Sequence, residues 1–151
     1  MKFNTLLLLL TTLTAVALSQ RLGQTIIHLL DQDLYWGLND TDVVLYPGGV
    51  RPAIWTRIPF HDGTSINIDG KSVQYNGDSK PLTIEEPNGS LAQRWIFEDG
   101  PEGSFLICSR EDINECATAF EEPSGWPKWA VKAENRTYSH LQLWKMYGIP
   151  L

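Results

Sequence analysis

The stretch Gln93-Arg94-Trp95-Ile96-Phe97 returns near the end of the chain as Gln142-Leu143-Trp144-Lys145-Met146, and a weaker form precedes both as Ala53-Ile54-Trp55. The three tryptophans lie 40 and then 49 residues apart, and alternating apolar residues follow each of them. Such alternation is typical of a half-buried β-strand. The threefold spacing predicts that Trp55, Trp95 and Trp144 are core residues, and that Gln93 and Gln142 hydrogen-bond their own turns.

Each repeat divides further into four short apolar segments separated by turn-forming clusters such as Asn76-Gly77-Asp78. A unit of about 40 residues that occurs three times indicates a repeat architecture whose units bury their faces against one another. The chain is therefore expected to be all-β, with twelve strands in three pseudo-repeats. The predicted strands cover residues 25–30, 34–38, 43–46 and 54–60, then 65–69, 72–76, 82–86 and 94–98, and finally 104–108, 115–120, 129–133 and 141–147.

Composition and charge exclude several classes of protein. The 151 residues are 42% hydrophobic and 20% charged, which is ordinary for a globular domain. Twelve basic residues against 18 acidic ones give a formal net charge of −6 and no basic patch. This balance argues against binding to nucleic acids or to anionic membranes.

The amino-terminal segment has the pattern of a secretory signal peptide. A positive start at Lys2 precedes the apolar run 6–10, and Ala17 and Ser19 are small residues at the positions read by a signal peptidase. The apolar stretch is short and interrupted by threonines, which disfavours a membrane anchor. We expect residues 1–19 to be a cleaved signal peptide, residues 20–151 to form the mature domain, and the protein to be extracellular.

Secretion changes the interpretation of two other features. Asn39, Asn88 and Asn135 each begin an Asn-x-Ser/Thr sequon, so each is a possible glycan acceptor on the surface. Cys108 and Cys116 end and begin neighbouring predicted strands, where a hairpin would bring them within bonding range. We expect these two cysteines to form a disulfide in an oxidising compartment.

The Gln-x-Trp sequences at 93–95 and 142–144 resemble the mark of ricin-B-type β-trefoil lectins, and the stretch from Asp62-Gly63-Thr64 to Pro81-Leu82-Thr83-Ile84 resembles one ricin-B unit in order and spacing. Tyr35-Trp36-Gly37 with Val43-Val44-Leu45 is similar to small secreted fungal lectins of this superfamily that bind fucosylated N-glycan cores. The resemblance implies a β-trefoil with carbohydrate-binding activity. It also implies loss of the galactose pockets of the second and third units, where Glu85 and Lys132 or Ala133 stand at the aromatic platform.

The first repeat retains the residue types that recognise sugars. Aromatic rings stack on the apolar face of a pyranose, and carboxylate and amide groups bind its hydroxyls. Two alternatives to a sugar site remain open. Trp36 shares a face with Leu34 and would then be a core residue, and a glycan on Asn39 would obstruct the site. The predicted sugar-binding residues are Trp36, Asn39, Asp40, Asp42 and Tyr46.

No catalytic motif stands out, and no cofactor is expected. The three histidines, His28, His61 and His140, lack metal-ligand spacing. The two glutamates of each doublet, Glu85-Glu86 and Glu121-Glu122, point to opposite faces of a strand, which disfavours a catalytic carboxylate pair. The predicted function is therefore non-catalytic binding of a glycan. The alternative is a secreted β-trefoil protease inhibitor or an effector with a protein partner. An inhibitor would use loop 39–42, or the proline-flanked loop 123–127, with Lys128 or Arg51 as the basic residue. Within the second loop, Trp126 precedes Pro127 and is expected to be an exposed loop aromatic.

Overall fold

The computed structural model describes residues 23–48, 50 and 52–149, and within them the chain is all-β with three one-turn 3-10 helices. All twelve predicted strands are present, each within about two or three residues of its expected position. The strands are β1 Gly23–Leu29, β2 Leu34–Asn39, β3 Asp42–Pro47, β4 Trp55–Phe60, β5 Gly63–Ile68, β6 Lys71–Gln74, β7 Thr83–Glu85, β8 Trp95–Asp99, β9 Phe105–Ser109, β10 Glu115–Glu121, β11 Trp129–Asn135 and β12 Trp144–Gly148.

Six of the strands form a closed ring of antiparallel pairs. The order around the ring is β1, β4, β5, β8, β9 and β12, and β12 pairs with β1 to complete it. Closure removes the unpaired strand edges that an open sheet would expose. Each repeat supplies its first and last strand to this barrel, so a single repeat cannot close the ring by itself.

The remaining strands form three hairpins, one per repeat, over one end of the barrel. They are β2–β3, β6–β7 and β10–β11. The hairpins also pair with one another, through β3 with β11, β3 with β7, and an isolated bridge between Pro81 and Lys132. A six-stranded barrel closed at one end by a triplet of hairpins is the β-trefoil arrangement that the resemblance to ricin-B-type lectins implies.

The repeated tryptophans fill the centre of the molecule. Trp55, Trp95 and Trp144 are fully buried, as predicted. The indole Nε1 of Trp95 donates to the Val73 carbonyl at 3.1 Å, and that of Trp144 donates to the Ala117 carbonyl at 2.9 Å. The same bond recurs in the second and third repeats, whereas Trp55 Nε1 has no partner among the described residues.

The glutamines that recur in the second and third repeats also have a structural role. Gln93 and Gln142 end short 3-10 helices, Leu91–Gln93 and His140–Gln142, and both side chains are buried. Gln93 accepts from the Asn88 amide at 2.9 Å, and Gln142 accepts from the Thr137 amide at 2.9 Å. Each glutamine therefore ties the preceding loop to its own turn. The last strand was predicted to begin at residue 141 but begins at Trp144, because residues 140–142 form the 3-10 turn.

The predicted disulfide is confirmed. Cys108 and Cys116 face each other across the pairing of β9 with β10 and are bonded. The predicted signal peptide, residues 1–19, lies outside the described residues, as does the start of the mature domain at residue 20. In the part of the chain that the structure describes, no helix is long and apolar enough to cross a bilayer.

Candidate functional site

The first hairpin places three of the predicted sugar-binding residues at its tip. Asn39 and Asp42 are the last paired residues of β2 and β3, and a two-residue turn, Asp40-Thr41, joins them. Asp40 adopts the left-handed conformation, with φ of 56°, which aspartate tolerates better than most residues. Asn39, Asp40 and Asp42 are all exposed. An amide and two carboxylates therefore face solvent within one tight turn.

Trp36 does not belong to this surface, and its prediction as a sugar-binding residue was wrong. Its side chain is 0% exposed and packs edge-on against Trp55 and Trp144, with ring centroids 5.7 and 5.5 Å away. Trp36 lies on the same face of β2 as Leu34, and that face points into the barrel. A ring without an exposed face cannot stack on a sugar, so Trp36 is a core residue.

Tyr46 is half-buried and firmly held at the base of the hairpin. Its hydroxyl donates to the Leu38 carbonyl at 3.0 Å. Its ring covers Gly37, where an added Cβ would come within 2.6 Å of the tyrosine Cδ2. The glycine is therefore required for the ring's close approach to the backbone. The other side of Tyr46 lies against Trp126, with centroids 6.2 Å apart and planes tilted by 55°.

The loop between β10 and β11 completes a cleft beside the first hairpin. Because β3 pairs with β11, with Val44 opposite Ala130, this loop is brought to the hairpin tip. The two together enclose a cleft of about 220 Å³, which we call the hairpin cleft. Its lining comprises Asn39, Asp42, Val44, Pro81, Glu122, Ser124, Gly125, Trp126, Pro127 and Ala130.

Trp126 is the most exposed aromatic residue of the hairpin cleft. Its side chain is 70% exposed, whereas Val44, Pro127 and Ala130 are buried in the cleft wall. An exposed indole beside polar groups is the combination that carbohydrate sites use. The sequence indicated an exposed loop aromatic here, since Trp126 precedes Pro127, but gave no sign that the loop meets the first hairpin.

The charges of the hairpin cleft are predominantly negative. Glu122 is paired with Lys132, with the ammonium nitrogen 3.1 Å from Oε1, and the same ammonium lies 3.8 Å from the Phe120 ring centroid. Asp42 has no such cation, and no side-chain hydrogen bond joins it to another residue in the described ranges. The cleft thus presents one free carboxylate, Asp42, and the Asn39 amide opposite an aromatic wall.

The residues considered for other functions are dispersed. His28 is buried between the rings of Tyr35 and Tyr147, at centroid distances of 5.2 and 4.9 Å, and this burial lowers its pKa. His61 and His140 are exposed on other elements. Lys128 is paired with Glu121 at 2.5 Å, and Arg51 lies outside the described residues. No group of three metal-ligating side chains assembles within residues 23–48, 50 and 52–149.

The three sequon asparagines are exposed at three separate places. Asn39 is at the hairpin tip, Asn88 precedes the 3-10 turn of the second repeat, and Asn135 ends β11. The Asn88 side chain accepts from the Ser90 amide at 2.9 Å, which shapes the local turn. Their glycosylation stays a prediction, and Asn39 is the one that lines the hairpin cleft.

No protein-family model matches the sequence, and no curated protein matches it. Solved structures share the fold. The designed threefold-symmetric protein ThreeFoil has a TM-score of 0.69 at 16% identity, over 82% of this chain and 97% of its own. A mosquitocidal holotoxin has a TM-score of 0.70 at 17% identity, over 83% of this chain. A GlcNAcα1-4Gal-releasing endo-β-galactosidase from Clostridium perfringens has a TM-score of 0.70 at 9% identity, over 85% of this chain. The chain spans only 16% and 33% of these last two proteins.

Proposed function

We propose that this chain is a secreted, non-catalytic carbohydrate-binding protein of the lectin type, and that it binds a sugar in the hairpin cleft. The observation that carries the proposal is the position of Trp126, a 70% exposed indole facing a cleft that also holds Asn39 and Asp42. The apolar face of a pyranose stacks on the indole, while the amide and the carboxylate bind adjacent hydroxyls. The β-trefoil fold is compatible with this role.

The dimensions of the cleft favour one sugar ring over a large ligand. Its volume of about 220 Å³ is below the roughly 300–1,000 Å³ of sites that enclose drug-sized molecules. Val44 and Ala130 form an apolar wall, and Tyr46 supports Trp126 from behind. The proposed ligand is therefore a single terminal or branch residue of a glycan.

The charges favour a neutral sugar. Asp42 is unpaired among the described residues, and the whole chain carries a net charge of −6. A sialylated or sulfated glycan would bring its own anion close to the Asp42 carboxylate, and like charges repel at this range. We therefore expect neutral hexoses or N-acetylhexosamines to bind in preference to acidic sugars.

A glycan array tests the proposal directly. The full chain, produced without N-glycans, is compared with Trp126→Ala and Asp42→Asn, and with Ile113→Ala as a control for loss of an exposed apolar side chain elsewhere. We expect a class of neutral glycans to bind wild type and the control, and to lose about five- to thirtyfold in affinity with Trp126→Ala, as removal of a stacking ring worth roughly 1–2 kcal/mol predicts.

The other outcomes are equally informative. An equal signal from wild type and Trp126→Ala would move the site away from the hairpin cleft. A blank array from folded protein would contradict carbohydrate binding altogether and would direct attention to protease panels.

Amino-terminal sequencing of the secreted protein tests the localisation, with Gln20 expected as the first residue.

A further inference from the structure

Asn39 differs from the other two sequon asparagines in its position at the hairpin cleft. It begins the sequon Asn39-Asp40-Thr41, and its side chain lines the hairpin cleft. Asn88 and Asn135 are not part of the cleft lining. Any group attached to the Asn39 amide nitrogen would therefore start at the rim of the same cavity that holds Trp126.

The attachment would be the ordinary N-glycosylation of a secreted chain. An oligosaccharide is transferred from a lipid diphosphate donor to Nδ2 of the asparagine. A bond forms between the sugar C1 and that nitrogen, the nitrogen loses a proton, and the lipid diphosphate leaves. The first sugar is then an N-acetylglucosamine ring, which is neutral and has an apolar face.

We propose that the glycan on Asn39 is a ligand in cis: its first ring lies in the hairpin cleft against Trp126 and closes the cleft to free sugars. The cleft has the volume for one such ring, and the ring is tethered at the cleft wall. A short tether gives an effective concentration of the order of millimolar or more. A free sugar of equal affinity for the cleft must exceed this concentration before it can displace the tethered ring, and a sugar of higher affinity needs proportionally less. That the tethered ring excludes free sugars rests on the proposed function, whereas that it covers the Trp126 indole does not.

The hairpin tip offers a matched pair of variants. Thr41→Ala destroys the sequon but keeps Asn39 in the cleft, and the backbone carbonyl of residue 41 still accepts from the Ile84 amide. Thr41→Ser shortens the same side chain and keeps the sequon. Asn88→Gln removes a different acceptor. Together they separate the effect of the Asn39 glycan from the effect of changing the turn.

The first measurement is the exposure of Trp126 in full-length protein secreted from N-glycosylating cells. Glycan occupancy at Asn39 is determined by peptide mass, and oxidation of Trp126 by N-bromosuccinimide is followed on the same digest. We expect Asn39 to be occupied, and Trp126 to react at least about fivefold more slowly in wild type and Thr41→Ser than in Thr41→Ala, as a mostly filled cleft requires. Asn88→Gln should react like wild type.

The second measurement is the affinity for the neutral sugar that the array identifies. We expect Thr41→Ala to bind at least about tenfold more tightly than glycosylated wild type, the ratio set by competition with the tethered ring. An unmodified Asn39, or an occupied Asn39 with Trp126 fully reactive, would overturn the proposal. Protection of Trp126 without sugar binding by any variant would refute the proposed function and leave the occupied cleft standing.

Discussion

At the scale of single residues, two tryptophans near the first hairpin have opposite surroundings. Trp36 is enclosed by Trp55 and Trp144 in the barrel, and Trp126 is open to solvent above Tyr46. A buried indole contributes through packing, whereas an exposed one is available for a ligand. Their substitution should therefore affect different properties of the protein.

We expect Trp36→Ala to lower the free energy of unfolding by about 3–5 kcal/mol, because it leaves a large cavity among packed rings. Trp126→Ala should change it by less than about 0.5 kcal/mol, since few contacts are lost at an exposed site. Urea unfolding followed by circular dichroism measures both values. A similar loss in the two variants would show that Trp126 is part of the core.

The glutamine of the third repeat is the second residue whose role can be measured. Gln142 accepts from the Thr137 amide and donates to the Asn135 carbonyl at 2.7 Å and to Thr118 at 3.0 Å. Gln142→Ala removes these three bonds, while the Thr118 hydroxyl keeps its own donation to the Cys116 carbonyl at 2.9 Å. Because the lost bonds fix the loop before the last strand, we expect a loss of about 1–3 kcal/mol in urea unfolding. Gln24→Ala, at an exposed position on β1, is the control and should be nearly neutral.

At the scale of elements, local patterns in the sequence determine the strands well. Alternation at Val43 and Leu45, and a turn at residues 40–41, are enough to predict the first hairpin. The hairpin cleft was only half predicted, because Asn39 and Asp42 are local to the hairpin while Trp126 comes from a loop about 85 residues further along the chain. That loop reaches the hairpin through the pairing of β3 with β11, and no local pattern encodes this pairing.

Trp36 shows a second limit of local patterns. The alternation placed it correctly beside Leu34, but it did not say whether that face meets the core or a ligand. The answer depends on the closed barrel, at whose centre the Trp36 ring packs against Trp55 and Trp144 from the ends of distant strands. Only the assembled fold specifies that space.

The β9–β10 hairpin is the element whose covalent link can be tested. Cys108 and Cys116 are eight residues apart in sequence, so the disulfide closes a short loop in the unfolded chain. The chain-entropy estimate for such a loop is about 2–3 kcal/mol. We expect the double variant Cys108→Ala with Cys116→Ala to remain folded and to lose about this amount in urea unfolding. Complete unfolding of that variant would mean that the small core cannot hold the barrel without the disulfide.

At the scale of the whole molecule, negative charge is concentrated where the second and third repeats meet. Glu115 begins β10, is 4% exposed, and is surrounded by Asp78, Asp112 and Glu134. Burial, and then these three carboxylates, raise the pKa of Glu115 above its ordinary value. The charged form is thus disfavoured in the folded protein, although the same side chain ionises freely when the chain is unfolded.

The raised pKa of Glu115 fixes the sign of a pH effect on stability. Below its ordinary value of 4.5 the carboxyl is protonated in both states, so it carries no penalty. As the pH rises from 4.5 through the raised folded pKa, the unfolded chain releases its proton first, so the free energy of unfolding falls.

Glu115→Gln removes this titrating group while keeping the shape of the side chain. The variant should therefore be more stable than wild type at pH 7.5 and should approach it near pH 4. His28 has a lowered pKa and acts in the opposite direction, but it is present in both proteins and cancels in their difference. Urea unfolding at several pH values measures that difference, and a difference that does not change with pH would show that Glu115 ionises normally in the folded protein.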